Sequence, residues 1–339
     1  MTVRPEDYDD IVAKINKKYS GDIRRGNDYE TVARISTGSL ELDLAMGGGV
    51  PMGRWTRFYG GYHSTKTLTA LSTIREAQNM GLLCAYYNVE KQYDADFARD
   101  KIGLNPDELT LVEGASIEEI GEKMEAMMTV CHVHVIDSCS IAVSEDELNA
   151  DIRDWRPGIS ARAWGKVFKR LNERFDALDN TVILIDQMRT NFKTGGEQAS
   201  GGRVFDFQSS MSVLFRKGSW MWKNKEGYLD EGATQQKGYG GQIEPAGYEV
   251  KCRIEKSRVC RPFRSATMRL DLDELKFDRT FEMLKAAVYY DVIEQRGAHY
   301  YKDGEKLGMG AKAVRQIIDN DSGLQDEIWE KAMDSLRRL

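Results

Sequence analysis

The stretch WTRFYGGYHSTKTLTALSTIREAQNM, residues 55–80, decides the fold. Trp55 to Gly60 reads as a strand, and a helix follows from about Lys66 to Met80. Between them lies GGYHSTKT, Gly60 to Thr67, a glycine-bounded loop. Such a loop turns successive backbone N–H groups inward and leads into a helix N-terminus, where phosphate is stabilised. The usual pattern is GxxxxGK[ST]. Gly60, Lys66 and Thr67 are in register with it, and Thr65 stands in place of the glycine before the lysine. Lys66 would reach the β- and γ-phosphates, and Thr67 would bind Mg²⁺. Gly60, Gly61, Tyr62, His63, Ser64 and Thr65 complete the candidate loop. Thr65 reads two ways. Its hydroxyl replaces part of what the glycine supplied, or its Cβ crowds the γ-phosphate. The bland alternative is an ordinary glycine turn before a helix.

Working outward, the same alternation of strand and helix recurs. LLCAYYNV leads to Glu90, CHVHVID ends at Asp137, and NTVILID ends at Asp186, with Gln187 next. Helices are expected over 116–129 and 159–178. Upstream, a short amphipathic helix precedes a glycine turn from Gly47 to Gly49. This alternation argues for a mostly parallel sheet covered by helices. Its carboxyl edge would collect Glu90, Asp137, Asp186 and Gln187 beside the loop. One carboxylate can hold a metal shell while the other orients water. After Phe207 the strands SVLFRK, YEVKCRIEKS and SATMRLDL alternate, with a polar, glycine-rich excursion over about 218–247 between the first two. Trp220 and Trp222 in that excursion fit base stacking, a subunit contact or a small satellite core. The first thirty residues read as a polar helical arm with apolar positions Ile11, Val12, Ile15 and Tyr19. Its stripe suits packing on a neighbour or on its own chain.

Composition narrows the class. A chain of 339 residues accommodates one large domain and a smaller one, and 41% apolar residues supply a sizeable core. No apolar run reaches the ~20 residues a membrane helix needs. The N-terminus lacks the apolar centre of a signal peptide, so a cytoplasmic location without a membrane partner is expected. The net charge of −6 excludes a wholly basic nucleic-acid-coating surface but allows a local basic groove. Cys84, Cys131, Cys139, Cys252 and Cys260 are odd in number and form no CxxC, which indicates free thiols in a reducing compartment. His132 and His134 alternate on one strand and read as partly buried rather than as a zinc site.

Further fragments fall in order along the chain: ISTGSLELDLAMGGGVPMGR, NVEKQYD, VIDS, LIDQMR, GGRVFDF, IEKSRVCRPF and HYYKDGEKLGMG. Together with the loop they resemble the RecA recombinases, particularly their phage-encoded relatives, from about Asp28 to the C-terminus. The departures are Thr65, a long insertion after Lys217 and a compact N-terminal arm. The resemblance implies an α/β fold: a RecA-type P-loop core with a mostly parallel central β-sheet flanked by helices, plus a small C-terminal α+β domain. It implies an arm over 1–30 that contacts another subunit, an ATP- and DNA-binding core over 31–275 with the insertion at about 218–247, and a C-terminal domain over 276–339.

The resemblance also implies ATP and Mg²⁺ as cofactors. Glu90 matches the carboxylate that activates water, and Asp94 resembles the residue near the adenine. Asp137 takes a second-shell Mg²⁺ role. Gln187 resembles the sensor that reports the γ-phosphate to the DNA-binding loop after it. Lys256 and Arg258 resemble a cationic pair that reaches the ATP of an adjacent subunit. Positive charge opposite a transferring phosphate stabilises the transition state, and a trans arrangement makes turnover conditional on assembly.

The resemblance implies that two loops carry the DNA contacts. The first covers Asp151 to Gly158, with Arg156 as a loop contact. Arg162 and Lys169, seven apart and so on one helical face, match the family's phosphate-contacting positions. The second loop runs from about Thr190 to Gly202 with Phe192 and Lys193, and is expected to be mobile without DNA. Gly201, Gly202 and Arg203 close it against a backbone phosphate. Contact with the sugar-phosphate strand leaves bases free to pair.

The function implied is an ATP-dependent DNA recombinase. It forms a homo-oligomeric helical filament on single-stranded DNA and promotes pairing and strand exchange with homologous double-stranded DNA. Its activity would be that of a DNA-dependent ATPase, with single-strand-binding or loading proteins as compatible partners, in the host cytoplasm if phage-encoded. Two alternatives stay open: a DNA-binding filament protein that hydrolyses nucleotide weakly or not at all, on account of Thr65, and a DNA-dependent motor or regulatory ATPase without pairing activity.

Overall fold

The computed structural model describes residues 8–19, 23, 32–151, 153, 158–178, 180–190, 197–199, 202–224, 227–233, 235 and 244–337. Met1–Ala33 and Arg34–Leu339 form two separate compact units. In the first, the described residues include α1 (Tyr8–Tyr19), with Asp9 and Asp10 in its first turn and Lys17 and Lys18 in its last. Those charges complement the helix dipole.

The second unit is built on an eleven-stranded sheet whose main path has nine strands: β1 (Trp55–Gly60), β2 (Cys84–Asn88), β3 (Leu109–Val112), β4 (Val133–Asp137), β5 (Thr181–Thr190), β6 (Met211–Lys223), β7 (Gly247–Ser257), β8 (Ser265–Asp271) and β9 (Lys276–Phe277). Their spatial order is β3-β2-β4-β5-β1-β6-β7-β8-β9. From β3 to β6 every pairing is parallel, and from β6 to β9 every pairing is antiparallel. The parallel part is buried on both faces, so β2 and β4 contain no exposed residue. In β7, buried Val250, Cys252 and Ile254 alternate with exposed or half-buried residues, the mark of a sheet with one wet face.

The described helices of seven residues or more in this unit are α2 (Leu40–Met46), α3 (Lys66–Asn79), α4 (Ile117–Met127), α5 (Ile159–Leu178), α6 (Gly202–Gln208), α7 (Arg279–Tyr289), α8 (Ala311–Asn320) and α9 (Ser322–Arg337). Each face of the sheet has its own core. Phe58, Ile74, Val135 and Ile254 belong to one, and Trp55, Ile136, Trp164 and Phe168 to the other. On α5, Trp164, Phe168, Leu171 and Phe175 are buried at a helical spacing that makes one apolar stripe. Trp164 stacks on Phe168 at 5.2 Å, and Phe168 meets Phe205 of α6 edge-on at 5.4 Å. Each such side chain contributes about 1.5–3 kcal/mol by leaving water. The stripe therefore fixes where α5 and α6 lie.

The C-terminal segment packs α7, α8 and α9 around Met283, Ile293, Val314, Ile318 and Ile328, with a three-stranded antiparallel sheet over Glu294–Arg296, His299–Lys302 and Glu305–Met309. Leu40 of α2 joins this core. Glu282 of α7 accepts from Ser39 Oγ and from the Leu40 N–H, both at 2.8 Å.

Two expectations change. The excursion after Lys217 starts later than its composition suggests, because residues 218–223 prolong β6 and pair with β7 or with Leu229–Asp230. Trp220 packs edge-on against Tyr248 at 5.6 Å, with the Lys217 ammonium 3.2 Å above its ring, so it sits in a surface aromatic cluster. The loop after Gln187 is not wholly irregular either: Glu197–Ala199 pairs antiparallel with the end of β5. Of the histidines, His134 is fully buried and His132 exposed, and no group of three metal-ligating residues occurs among the described residues. All five cysteines are free, four of them buried. Among the described residues no helix is long and apolar enough to cross a membrane.

Candidate active site

The site forms where β1 stops. A Cβ at Gly60 would fall 2.1 Å from the Phe215 carbonyl oxygen, so the close approach of β1 to β6 requires glycine there. The chain then passes exposed Tyr62 and His63 and buried Ser64 before entering α3. Thr65 adopts φ 65° and ψ 14°, the left-handed region. This explains why glycine is usual at the position. An L-residue there is strained by about 1–2 kcal/mol relative to right-handed backbone. The Thr65 hydroxyl donates to the Ser64 carbonyl at 2.6 Å, and its own carbonyl accepts the Thr69 N–H at 2.8 Å. No side chain caps the start of α3 at Thr65, which leaves N-terminal N–H groups for an anion.

Lys66 is buried and turned back into the loop. Its amine donates to the Gly60 and Gly61 carbonyls at 3.2 and 2.7 Å and to Ser64 Oγ at 3.1 Å. Burial lowers its pKa, while Asp137, Glu90 and Asp186 act to raise it. Thr67 Oγ1 donates to Asp137 Oδ2 at 2.7 Å. The same oxygen accepts the Tyr86 hydroxyl at 2.8 Å. Burial pushes the Asp137 carboxyl up, opposed by these two hydrogen bonds. Glu90, just beyond β2, accepts from Ser138 Oγ and from Gln187 Nε2, the latter at 3.0 Å. The Gln187 N–H donates to Ser140 Oγ at 3.1 Å and to Asp186 Oδ1 at 2.8 Å.

Lys66, Thr67, Glu90, Asp137 and Gln187 are thus brought together at one sheet edge. Asp186 is at that edge too, but it is fully buried and ion-paired with Arg57. Asp94 is exposed and caps the short helix Ala95–Phe97 by accepting the Phe97 N–H at 2.9 Å. The Lys256 amine donates to the Asp206 and Ser209 carbonyls, and Arg258 follows two residues on. Burial and neighbouring Arg258 lower the Lys256 pKa. Arg162 and Lys169 are exposed on α5, Gly202 begins α6, and Arg203 is exposed on it. Arg156, Phe192, Lys193 and Gly201 lie outside the described residues.

Sequence reading missed Tyr86, Ser138 and Ser140, which orient the two carboxylates and the glutamine. Ser138 follows Asp137 directly in VIDS, and adjacency to a strand-end carboxylate is the signal that could have found it.

The donor set can be tested against magnesium and nucleotide. Mg²⁺ prefers one or two carboxylates completed by substrate phosphates and water. One hydroxyl and one carboxylate, 2.7 Å apart beside a loop with free helix N–H groups, fit that arrangement and not an all-protein cage. Comparison with known proteins decides the family. The family model for the RecA N-terminal domain matches residues 7–274, and that for the RecA C-terminal domain matches residues 281–337. The chain belongs to the RecA family. Its similar relatives include Protein RecA of Streptococcus agalactiae serotype III, 32% identical over 97% of this chain and 85% of that protein. Protein RecA of Oleidesulfovibrio alaskensis is 30% identical over 98% of this chain and 92% of its own. Protein RecA of Delftia acidovorans is 29% identical over 96% and 86% respectively. These relatives are bacterial, and nothing in them bears on the expected phage affinity. RecA membership agrees with ATP binding and with a DNA-binding, recombinase-type ATPase in general terms.

Proposed function

We propose that this chain is an ATP-dependent recombinase that assembles as a helical filament on single-stranded DNA and pairs it with a homologous duplex. The observation that carries the reading is the hydrogen bond from Gln187 to Glu90, beside the Thr67–Asp137 pair. It joins the residue suited to align water to the residue that leads into the second loop. In this reading Lys66 and the loop N–H groups hold the phosphates of ATP, and Thr67 with Asp137 holds Mg²⁺, which neutralises developing phosphate charge when bound. Glu90 orients the attacking water. Asp94 lies toward the adenine. Lys256 and Arg258 act on the nucleotide of a neighbouring subunit, Lys256 after leaving its resting contacts on the Asp206 and Ser209 carbonyls.

Arg162, Lys169, Gly202 and Arg203 contact the DNA backbone, together with Arg156, Phe192, Lys193 and Gly201. The arm over 1–30 serves as a subunit contact, with core 31–275 and C-terminal domain 276–339 as the working divisions, in a cytoplasm. A phage affiliation and loading partners belong to the same proposal.

The test measures DNA-stimulated ATP turnover and homologous strand pairing in one preparation. Both activities together support the reading. Turnover without pairing points to a motor or regulatory ATPase. A second reading, a filament protein with slow hydrolysis, is favoured by the left-handed backbone at Thr65. Pairing with little turnover would select it.

A further inference from the structure

Arg57 lies in β1, three residues before the phosphate loop, and its side chain is 1% exposed. A buried guanidinium needs partners for its charge, and here it has two. One terminal nitrogen donates to Asp186 Oδ2 on β5. The other donates to Asp206 Oδ1 on α6 at 2.5 Å. Asp186 uses its remaining oxygen to accept the Gln187 N–H at 2.8 Å. The Asp206 carbonyl accepts the Lys256 amine. A single cation therefore ties together the strand that feeds the loop, the strand that carries Gln187, and the helix that follows the second loop. Through that helix it also reaches Lys256.

The two carboxylates differ. Asp186 is 0% exposed and has no route to water, whereas the Asp206 side chain is 59% exposed. Breaking a buried pair leaves an uncompensated charge, so Arg57 and Asp186 move together. Asp206 can instead be released to solvent. The structure holds α6 in the clamped arrangement, with the Lys256 acceptors on Asp206 of that helix and on Ser209 just beyond it. A two-state element biased from both sides is what coupling requires.

We propose that Arg57 is a positioning residue whose fork between Asp186 and Asp206 couples occupancy of the phosphate site to the placement of α6 and Lys256. The inference rests on the recombinase reading for what lies on the DNA side. A shift of Gln187 toward a γ-phosphate moves Asp186, Arg57 follows, and α6 either follows or lets go. Coupling is reciprocal, so nucleotide changes DNA affinity by the same factor that DNA changes nucleotide affinity.

The experiment uses the full chain and two variants, Asp206→Ala and Arg57→Lys. Asp206→Ala removes an exposed carboxylate from a helix, so the fold survives. Arg57→Lys keeps the charge but loses the planar fork that serves two carboxylates. Single-stranded DNA affinity is measured with ADP and with a non-hydrolysable ATP analogue, and ATP turnover with and without DNA. In Asp206→Ala, turnover without DNA stays at the wild-type level, because Asp206 touches neither the loop nor Glu90. The ratio of the two DNA affinities falls by about tenfold, a typical coupling size, and DNA stimulation falls with it. Arg57→Lys gives the same loss of ratio. An unchanged ratio in Asp206→Ala overturns the inference while leaving the recombinase reading intact. A wild-type chain whose DNA affinity ignores nucleotide and whose turnover ignores DNA overturns both.

Discussion

Among the described residues, Asp43 and Glu282 contrast with Asp137 and Glu90, which face the candidate site. Glu282 lies at the seam between α2 and the C-terminal helices and Asp43 lies on α2 against Ser36 and Thr37, both fully buried. Burial pushes Asp43 up to about 7 and Glu282 up to about 8. Asp137 and Glu90 lie at the carboxyl edge of the parallel strands, and burial raises Asp137 as well. Perturbed titration alone therefore does not separate chemistry from architecture. The donors do. Asp43 is held by its own chain neighbours Ser36 and Thr37, and Glu282 by one short distant segment, Ser39 Oγ and the Leu40 N–H. At the edge they are side chains from separate elements, Thr67, Tyr86, Ser138 and Gln187, which a ligand can displace one at a time.

The sharpest way to break this contrast is Glu90→Gln. The amide keeps an acceptor for Gln187 but loses the charge that aligns water. Steady-state ATP turnover should fall by about three orders of magnitude, within the range for a general base, while nucleotide and DNA binding persist. Unchanged turnover would falsify the assignment of Glu90. Next in size is the double change Lys256→Ala and Arg258→Ala. DNA-dependent turnover should fall about a hundredfold, as when a preorganised transition-state donor is removed. Mixing these subunits with Lys66→Ala subunits should restore activity only at junctions that combine an intact loop with an intact cationic pair. Turnover that survives dilution to strict monomers rules out the trans arrangement.

Much of the edge was legible because strand ends announce themselves. The loop, Glu90, Asp137 and Gln187 each end or follow an apolar run, and parallel pairing sends those ends to one side. What stayed hidden is long-range pairing. Nothing local in WTRFYG reveals that Arg57 is buried with Asp186, 129 positions away. Nothing local in IEKSR shows that Lys256 rests on carbonyls of α6. Likewise, Glu282 sits in an ordinary amphipathic helix, and its burial follows from how α7 docks on α2. The extent of β6 was misjudged for the opposite reason. Glycine and lysine in Lys217–Lys223 suggest a loop, but pairing with β7 overrides that composition.

The seam can be tested by pH. Glu282 titrates at 4.5 when exposed and at about 8 when folded, so the folded state holds the proton more tightly. Between those values the unfolded chain binds fewer protons than the folded one, and stability falls as pH rises. Asp43, raised from 3.8 to about 7, adds a fall of the same sign over a lower window. Glu282→Gln mimics the protonated acid and can still accept from Leu40 and bond with Ser39. Urea melts from pH 5 to pH 9 should show a shallower loss of stability in this variant, with ATP turnover unchanged at neutral pH. Glu282→Ala leaves the buried donors unmatched and should cost about 1–3 kcal/mol at pH 5, with a smaller cost as pH rises and the wild-type carboxyl loses its proton. A pH slope as steep in Glu282→Gln as in the wild type would assign the linkage to other groups.

The smallest expected effect is at Thr65, where the site borrows from architecture. Its backbone is left-handed, and its hydroxyl is committed to the Ser64 carbonyl. Two accounts of its influence are separable. If backbone strain dominates, Thr65→Gly relieves it and Thr65→Ala does not, because alanine carries the same Cβ penalty. Glycine's larger unfolded-state entropy offsets about 0.5–1 kcal/mol of that relief, so the net gain in stability should be about 0.5–1 kcal/mol. If side-chain crowding of the γ-phosphate dominates, both substitutions accelerate the chemical step, since both remove the branch and the hydroxyl. Misplacement by about 1 Å can cost about a hundredfold in rate. The loop nevertheless already follows the left-handed path that glycine would take. Single-turnover hydrolysis with saturating DNA and Mg-ATP should therefore rise by less than about tenfold in Thr65→Gly, well inside that limit. A rise in glycine alone, accompanied by a higher melting midpoint, identifies the backbone as the source. An equal rise in both variants identifies the side chain. A slower step in both would mean that the threonine hydroxyl, through Ser64, holds the loop in its working shape, and the strain at this position would then be part of how the site is kept open.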